Sequence, residues 1–399
     1  MTLAMPRIRE TIVLEEGRTL QLREATEPDM DAIKHLYFTV YGGRYSLPEV
    51  TDVDKMKWAI HDPNYIWILV EDEEARIVSS VIFVVDQQAR LGKTFAGVVD
   101  PDYRGHSLLV RTLERGLEIL LEGDKPICDL IYAVVRTFTP LSFHEDLKSV
   151  GFVDMGVFPN VRKVKKYETH GLKVRFSSRA LDLRRQTPSL ITATKLIYDV
   201  ARPLLGLEEA DVRESGTRRP SSTSDGRFQF MIHRAPEVEW EYYRVRDEGE
   251  LLFDFFPLHY PHLKLYTRDE RHVVFIHFLE TDGHACILGI KTDASDLAAF
   301  LLAVGEMAES IGIKYLELLV SAYDADMQQT AYDANFLPCA YFPAMQLDDE
   351  GRRQDYIVTS CTFMAPHFRG LTLSPDTRPY VQAFYKVYVG RLWEEIQDN

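Results

Sequence analysis

The chain has 399 residues, of which 46% are apolar and 11% aromatic, a composition that supports two or three domains with cores of ordinary size. Its formal net charge of −15 excludes a surface built broadly for nucleic acid or an anionic membrane, since phosphate would be repelled, but leaves room for a local basic cleft. Four cysteines, Cys128, Cys286, Cys339 and Cys361, stand far apart in apolar sequence without a Cys-x-x-Cys pair, so they read as buried thiols in a reducing compartment. No apolar run reaches the roughly 18 residues of a membrane span. The opening Met1-Thr-Leu-Ala-Met-Pro-Arg lacks a signal-peptide core, so a cytoplasmic protein with no membrane or nucleic-acid partner is expected.

Leu20 to Ala25 alternates like a strand. Thr26 follows as a helix cap, with Pro28 in the first turn and apolar residues at Met30, Ile33 and Leu36. Ile66 to Asp72 and Ala75 to Asp86 predict a hairpin across an acidic turn, and Phe95 to Val99 the next antiparallel strand. That strand runs through Pro101 into a sharp polar turn and then a helix with leucines at 109, 113, 117, 120 and 121. A strand feeding a helix through such a turn aims free backbone N–H groups at one point, where the helix dipole adds positive charge and phosphate is the natural occupant. That turn carries neither Gly-x-Gly-x-x-Gly nor a Gly-Lys-Ser/Thr ending, so a Rossmann or P-loop reading of it fails. Leu130 to Arg136 reads as a strand buried on both faces, and Thr139 to Phe152 as a capped helix ending at Gly151, before a strand from Val153 to Phe158.

At Val98-Val-Asp-Pro-Asp-Tyr-Arg-Gly-His-Ser-Leu-Leu109 the chain resembles the acyl-CoA signature of the GNAT superfamily of acyltransferases, Arg/Gln-x-x-Gly-x-Gly/Ala after a Val-x-Pro strand end. Arg104 holds the first position and Gly105 matches the common Arg-Gly opening, whereas Ser107 stands in place of Gly and Leu109 in place of Gly or Ala. The Leu-Arg-Glu-Ala-Thr-Glu-x-Asp opening and the Gly151-Phe152 helix end are similar to the same family. The resemblance implies an α/β (α+β) fold with a mixed, mostly antiparallel sheet flanked by helices, and a gap between two parallel strands that admits the pantetheine arm. It implies an acyl-CoA co-substrate, acetyl-CoA or another, no metal, and direct attack on the thioester by the amine of a small molecule or a protein lysine.

The CoA contacts it implies are Val98, Val99, Arg104, Gly105, His106, Ser107, Leu108 and Leu109, with His106 equally readable as an incidental loop residue. Tyr37, Tyr41, Arg44 and Tyr45 become candidates for lining the acceptor pocket, against a reading of the tyrosines as half-buried packing. The family's leaving-group tyrosine would fall at Leu147. His144, one turn earlier, is the candidate acid or base, against a histidine solvated between Glu145 and Asp146. Asp86 and Glu24, at strand ends, are candidate bases, against plain solvation. These departures keep open a second class, a non-catalytic acyl-CoA-binding or scaffolding protein.

A connecting helix is expected from about Leu190, followed by a polar, mobile linker from Glu208 to Gly226. The expected organisation is therefore 1–178, 179–226 and 227–399. Phe228 to His233 and Trp240 to Arg246 read as strand-like or packing segments. Leu263 to Leu279 reads as a hairpin and His284 to Ile290 as a strand, followed by a helix from Asp293 to Ile311 and a buried strand from Tyr315 to Val320. A helix from Asp326 to Asn335 and strands Phe336 to Phe342 and Asp355 to Phe363 complete an order that mimics the first half, with Asn335 taking the left-handed cap of Gly151. A second GNAT-like unit is expected, degenerate because Lys291-Thr-Asp-Ala-Ser-Asp296 offers no pyrophosphate cradle, and completing the acceptor site or a homodimer.

His259, His262, His272, His277 and His284 show no metal-ligand spacing and read as satisfied or solvent-facing. Tyr323, Tyr332, Tyr341 and Arg353 read as pocket lining or as core and rim. Arg378 to Ile396 is an aromatic-rich amphipathic helix expected to pack across a domain or subunit face.

Overall fold

The computed structural model describes residues 8–45, 47–123, 125–163, 166–214, 228–368, 371 and 373–397. Two compact units divide the chain: Met1–Val134, Pro140–Val153 and Val174–Ala180 form the first, and Val135–Thr139, Asp154–Lys173 and Leu181–Asn399 the second. Relative to a single cut near residue 178, the segment Asp154–Lys173 falls with the second unit.

The first part of the chain runs β1 (Arg9–Val13), β2 (Thr19–Glu24), α1 (Met30–Tyr41), α2 (Pro48–Thr51), α3 (Val53–His61), β3 (Tyr65–Glu71), β4 (Ile77–Asp86), β5 (Leu91–Val99), α4 (Leu108–Leu117), β6 (Leu130–Arg136), α5 (Leu141–Ser149), β7 (Val153–Lys163) and β8 (Tyr167–Phe176). In the first unit β1 to β6 lie side by side in chain order, antiparallel up to β5 and parallel between β5 and β6.

The entry to α1 is fixed as its sequence requires. The Asp29 carboxylate accepts from the Thr26 amide and hydroxyl, both at 2.7 Å, and Gly42 ends the helix in the left-handed region at φ 59°. Ile33, Leu36 and Tyr37 then share one side of the helix and pack with Trp67, Leu69, Ile82, Ala96 and Val98 of the sheet. The other face is covered by α4, which buries Leu109, Thr112, Leu113, Gly116 and Leu117 and continues as a wider π turn over Glu118–Glu122. β3, with Ile66 to Val70 all buried, lies between the two layers, as its unbroken apolar run demands.

The second part continues with α6 (Ser178–Asp182), β9 (Ser189–Ile191), α7 (Thr192–Leu205), β10 (Asp211–Arg213), β11 (Phe230–Arg234), α8 (Val238–Asp247), β12 (Leu263–Thr267), β13 (Val273–Leu279), β14 (His284–Lys291), α9 (Leu297–Ser310), β15 (Tyr315–Ser321), α10 (Ala325–Asp333), β16 (Leu337–Leu347), β17 (Arg353–Thr362) and α11 (Arg378–Gln397). Within the second unit the sheet order is β8-β7-β16-β17-β15-β14-β13-β12-β11. β14 and β15 pair in parallel, whereas their other neighbours in this unit, β13 and β17, are antiparallel. Phe300, Leu301 and Val304 of α9 bury against Ile276, Ile287, Leu316 and Leu318.

Trp240 to Arg246, read from sequence as strand-like, is the helix α8. Val238, Tyr242 and Val245 recur at helical spacing and are buried, while Trp240 points outward, 80% exposed. The connecting helix forms as α7, two residues later than expected, behind the short strand β9. Of the expected mobile linker, Asp211–Arg213 pairs with β9 as β10, and residues 215–226 lie outside the described residues. Gly151 and Asn335 both adopt left-handed backbone, at φ 84° and 64°.

The approach of α4 to β4 depends on Gly116. A Cβ there would lie 2.2 Å from the ring of Phe83, too close for any rotamer adjustment of a ring wedged between helix and sheet. Gly116→Ala is expected to destabilise the chain by about 1–3 kcal/mol in urea unfolding, whereas Gly123→Ala, whose nearest neighbours are 3.6 Å away, should leave the midpoint nearly unchanged.

Candidate functional site

β5 and β6 share only three pairs, Leu91 with Leu130, Gly92 with Ile131 and Lys93 with Tyr132, and beyond Lys93 their ladder stops. On its other edge β5 bulges: Ile82 faces Phe95 and Ser80 faces Val98, so Val81 stands opposite both Ala96 and Gly97. Ala96 takes the left-handed conformation, φ 57°. Ala96 then packs with the α1 core, while a Cβ on Gly97 would meet Leu109 and Phe143, on α4 and α5, at 3.2 and 3.9 Å. The bulge is braced from below by a polar set in an apolar layer. The Tyr37 hydroxyl donates to the Ala96 carbonyl and lies 3.2 Å from Ser80 Oγ, which accepts from Trp67 Nε1 at 2.8 Å. Ser79 Oγ donates to the Val98 carbonyl at 3.1 Å. Burial pushes the Tyr37 phenol well above its ordinary pKa, so it acts as a neutral donor.

Beside Tyr37 the rings of Tyr41 and Tyr45 form an aromatic shelf, with centroids 4.9 Å apart for Tyr37 and Tyr45 and 4.6 Å for Tyr41 and Tyr45. Both outer rings are half-buried, and Arg44 is exposed. The structure therefore brings the three tyrosines named from sequence to the bulged strand.

The loop from β5 to α4 is anchored by Tyr103. Its buried hydroxyl donates to the Asp72 carboxylate at 2.8 Å, and Arg76 Nη2 donates to it at 3.2 Å. The guanidinium of Arg18 lies 4.8 Å from the Tyr103 ring centre. Burial raises the pKa of Asp72, but bonds from the Arg76 amide, the Tyr103 hydroxyl and the Arg76 side chain outweigh it, and the net shift is downward. After Tyr103 the backbone turns left-handed at Gly105 (φ 84°) and Ser107 (φ 54°). Ser107 thus adopts the conformation that glycine would supply more cheaply, and its side chain makes no capping bond. The first helical bond of α4 runs from the Arg111 amide to the Ser107 carbonyl, 3.0 Å, so the amides of residues 108–110 have no intrahelical acceptor. This is a helix end with room for an anion.

Around it Arg104, Gly105 and Ser107 are exposed, Val99 and His106 half-buried, and Val98, Leu108 and Leu109 buried. Leu109, where the signature has a small residue, points into the core against Gly97 and away from the loop surface. His106 Nε2 lies 3.5 Å from Glu16.

Of the three acid-base candidates, Asp86 and Glu24 lie away from this strand end. Asp86 closes the β4–β5 turn by accepting from the Ala89 amide at 2.9 Å, at the opposite end of β5 from the loop. Glu24 is registered opposite Ile68 and through it Val81, on the sheet face away from the tyrosines. His144 is buried, not solvated, on α5 beside Leu147, also buried. Sequence reasoning missed Ser80, Trp67, Lys93 and Tyr132. Lys93 Nζ sits 5.7 Å from the Tyr132 ring centre at the last shared pair of the parting strands. A serine pair inside the apolar run of β4 was the available signal.

In the second unit the residues read as pocket lining or core are structural. The Tyr341 hydroxyl donates to Asp355, and the fully buried Arg353 donates to the Ala344 carbonyl at 2.9 Å. Tyr323 donates to the Arg185 carbonyl and Tyr332 to Glu394. The N-terminus of α9 is already occupied: Asp296 Oδ1 accepts from the Ala299 amide at 3.0 Å. His259, His262 and His277 pack ring against ring, and His272 Nδ1 lies 2.6 Å from Thr292 Oγ1. His284 instead meets Cys286 and Glu317, the one His/Cys/Asp/Glu group among the described residues whose ligand atoms cluster tightly enough for a metal.

The chain order of β2 to β8 and the parted parallel strands match what the sequence resemblance implied. Among solved structures, the chain is similar to a spermidine N-acetyltransferase from Vibrio cholerae in complex with CoA and spermine, at 19% identity, 40% coverage of this chain, 96% of that chain and a TM-score of 0.34. It is also similar to a ribosomal-protein-S5-alanine acetyltransferase from Vibrio fischeri, at 14% identity, 42% and 97% coverage and a TM-score of 0.36. No family model and no curated protein matches the chain.

Because the folded-state pKa of Asp72 is depressed, its contribution is present above its unfolded pKa of about 3.9 and is lost as pH falls through the folded value. Tyr103→Phe removes one of the bonds responsible. The wild-type chain should exceed this variant by about 2 kcal/mol at pH 7, and the margin should shrink towards pH 3 in paired urea titrations.

Proposed function

We propose that residues 1–178 form an acyl-CoA-dependent N-acyltransferase, with acetyl-CoA as the expected donor and an amine of a small molecule or a protein lysine as acceptor. The observation that carries this reading is the open N-terminus of α4, two left-handed residues beyond a β5 that has parted from β6. The amides of residues 108–110 and the Arg104 guanidinium would hold the pyrophosphate. The pantetheine arm would then use the β5 edge left unpaired after Lys93.

The acceptor nitrogen attacks the thioester carbonyl, a C–N bond forms as the C–S bond breaks, the amine gives up a proton and the thiolate takes one. Tyr37 holds the strand in place through the Ala96 carbonyl, and the faces of Tyr41 and Tyr45 offer a seat for an ammonium-bearing acceptor before it deprotonates. The acidic balance of the chain favours the approach of such a cation.

The second unit is proposed as a degenerate GNAT-like module. β14 pairs in parallel with β15 through three positions, the β13–β14 ladder bulges between Phe275 and Ile276, and α9 connects β14 to β15. It keeps the architecture without the cradle, since Asp296 places a carboxylate where a phosphate would go.

One observation favours a non-catalytic acyl-CoA-binding reading: a buried leucine, Leu147, occupies the expected acid position, and Asp86 and Glu24 do not gather at the bulge. Free thiol released from acetyl-CoA in the presence of pooled amines separates the two, with release expected for the enzyme and none for the binding protein. No helix among the described residues is long and apolar enough to cross a membrane.

Calorimetric titration with CoA tests the placement. One site per chain is expected; Arg104→Glu should weaken it at least tenfold, by setting a carboxylate against the pyrophosphate, while Lys291→Glu leaves it unchanged. Equal effects of the two substitutions would move the site away from α4.

A further inference from the structure

At the base of the second strand junction two side chains of β14 meet one that lies some thirty residues further along the chain, on β15. β14 and β15 run parallel with His284 opposite Tyr315 and Cys286 opposite Glu317, so His284, Cys286 and Glu317 share one face of the sheet. All three are buried. His284 Nε2 lies 3.0 Å from Glu317 Oε1 and 3.6 Å from Cys286 Sγ, and that sulfur lies 3.9 Å from Glu317 Oε2.

We propose that His284, Cys286 and Glu317 bind one thiophilic divalent cation, with zinc the natural occupant. Three observations support the site. The first is its dimensions: a tetrahedral zinc with ordinary bond lengths to nitrogen, oxygen and sulfur spans ligand–ligand edges of about 3.4–3.6 Å. With one carboxylate oxygen taken, the three ligand atoms lie within 4.8 Å of one another, and the edges from His284 Nε2 to Glu317 Oε1 and to Cys286 Sγ are 3.0 and 3.6 Å.

The second is the direction of the imidazole. A histidine that relays a proton between a thiol and a carboxylate uses its two ring nitrogens on opposite sides. Here the same nitrogen, Nε2, faces both groups, so one proton on it serves one neighbour at a time, while a cation serves all three. The third is charge. A thiolate and a carboxylate buried together are neutralised by one divalent ion, whereas without it the Glu317 carboxylate is offset by the imidazole at 3.0 Å and a long thiol contact at 3.9 Å.

One neighbouring feature fits: the His284 side chain retains 10% exposure, which leaves the ion a way in. The fourth position falls to solvent.

The test is a titration of the full chain, stripped with chelator and refilled with Co²⁺, followed by absorption and by elemental analysis after zinc loading. One equivalent of metal and a sulfur-to-cobalt charge-transfer band are expected. Cys286→Ser should abolish the band, Glu317→Gln should weaken binding at least tenfold, and Cys361→Ser should leave both intact, with circular dichroism checking that each variant is folded. The band matters because the His259, His262 and His277 cluster contains no sulfur and would bind cobalt without it. Absence of the band from the wild-type chain, or its survival in Cys286→Ser, would overturn the proposal whether or not the other variants fold. CoA binding by the first unit is read separately and does not bear on this outcome.

Discussion

Two parallel strands that start paired and then part constrain everything else in the first unit. β5 and β6 are held by three pairs at Leu91 to Lys93, and beyond them the β5 edge needs other partners for its peptide groups. On the β4 side the ladder bulges at Ala96 and turns the strand, and the Tyr37 hydroxyl and Ser79 Oγ serve the carbonyls of Ala96 and Val98 there. Parting also sets where the crossover helix starts, because α4 must leave the end of β5 and return over the sheet to β6. The open end of that helix therefore lies beside the gap by construction. Tyr103 and Asp72 then fix the loop that links the two.

The two units build the same junction from different side chains. In the first, the three shared pairs carry Leu91 with Leu130, Gly92 with Ile131 and Lys93 with Tyr132, an apolar base rimmed by one cation over an aromatic ring. In the second, the corresponding pairs carry His284 with Tyr315, Ala285 with Leu316 and Cys286 with Glu317. The helix that follows differs in the same sense. Ser107 leaves the N-terminus of α4 uncapped by its side chain, whereas Asp296 caps α9 with a carboxylate. A three-pair parallel ladder followed by a helix thus carries an uncapped helix end in one unit and a cluster of metal-type ligands in the other, a difference that lies in side chains.

Local signals carried most of the fold. Strands with unbroken apolar runs, such as Leu130–Arg136, came out with the same bounds, and the left-handed caps at Gly151 and Asn335 lie where helix ends need them. The segment around Trp240 was misread because its aromatic residues have high strand propensity, while the burial of Val238, Tyr242 and Val245 against the sheet decided for helix. The aromatic shelf was legible because Tyr37, Tyr41 and Tyr45 come from a single stretch of chain. The acid-base candidates were not. Asp86 and Glu24 are both at strand ends, and only the register of β2 through β5 tells which end and which face each occupies.

The sequence by itself determined much of the order of elements, the strand-to-helix turn at Pro101 to Ser107 and the lack of such a turn before α9, because these depend on residues within a few positions of one another. Tertiary structure alone decided that Leu109 points into the core, that Ser80 and Trp67 brace the bulge under Tyr37, and that His284, Cys286 and Glu317 meet. Cys286 and Glu317 belong to neighbouring parallel strands joined by a full helical crossover. No spacing along the chain encodes which residue of one strand stands opposite which residue of the other; that register is set by how α9 packs its apolar face on the sheet.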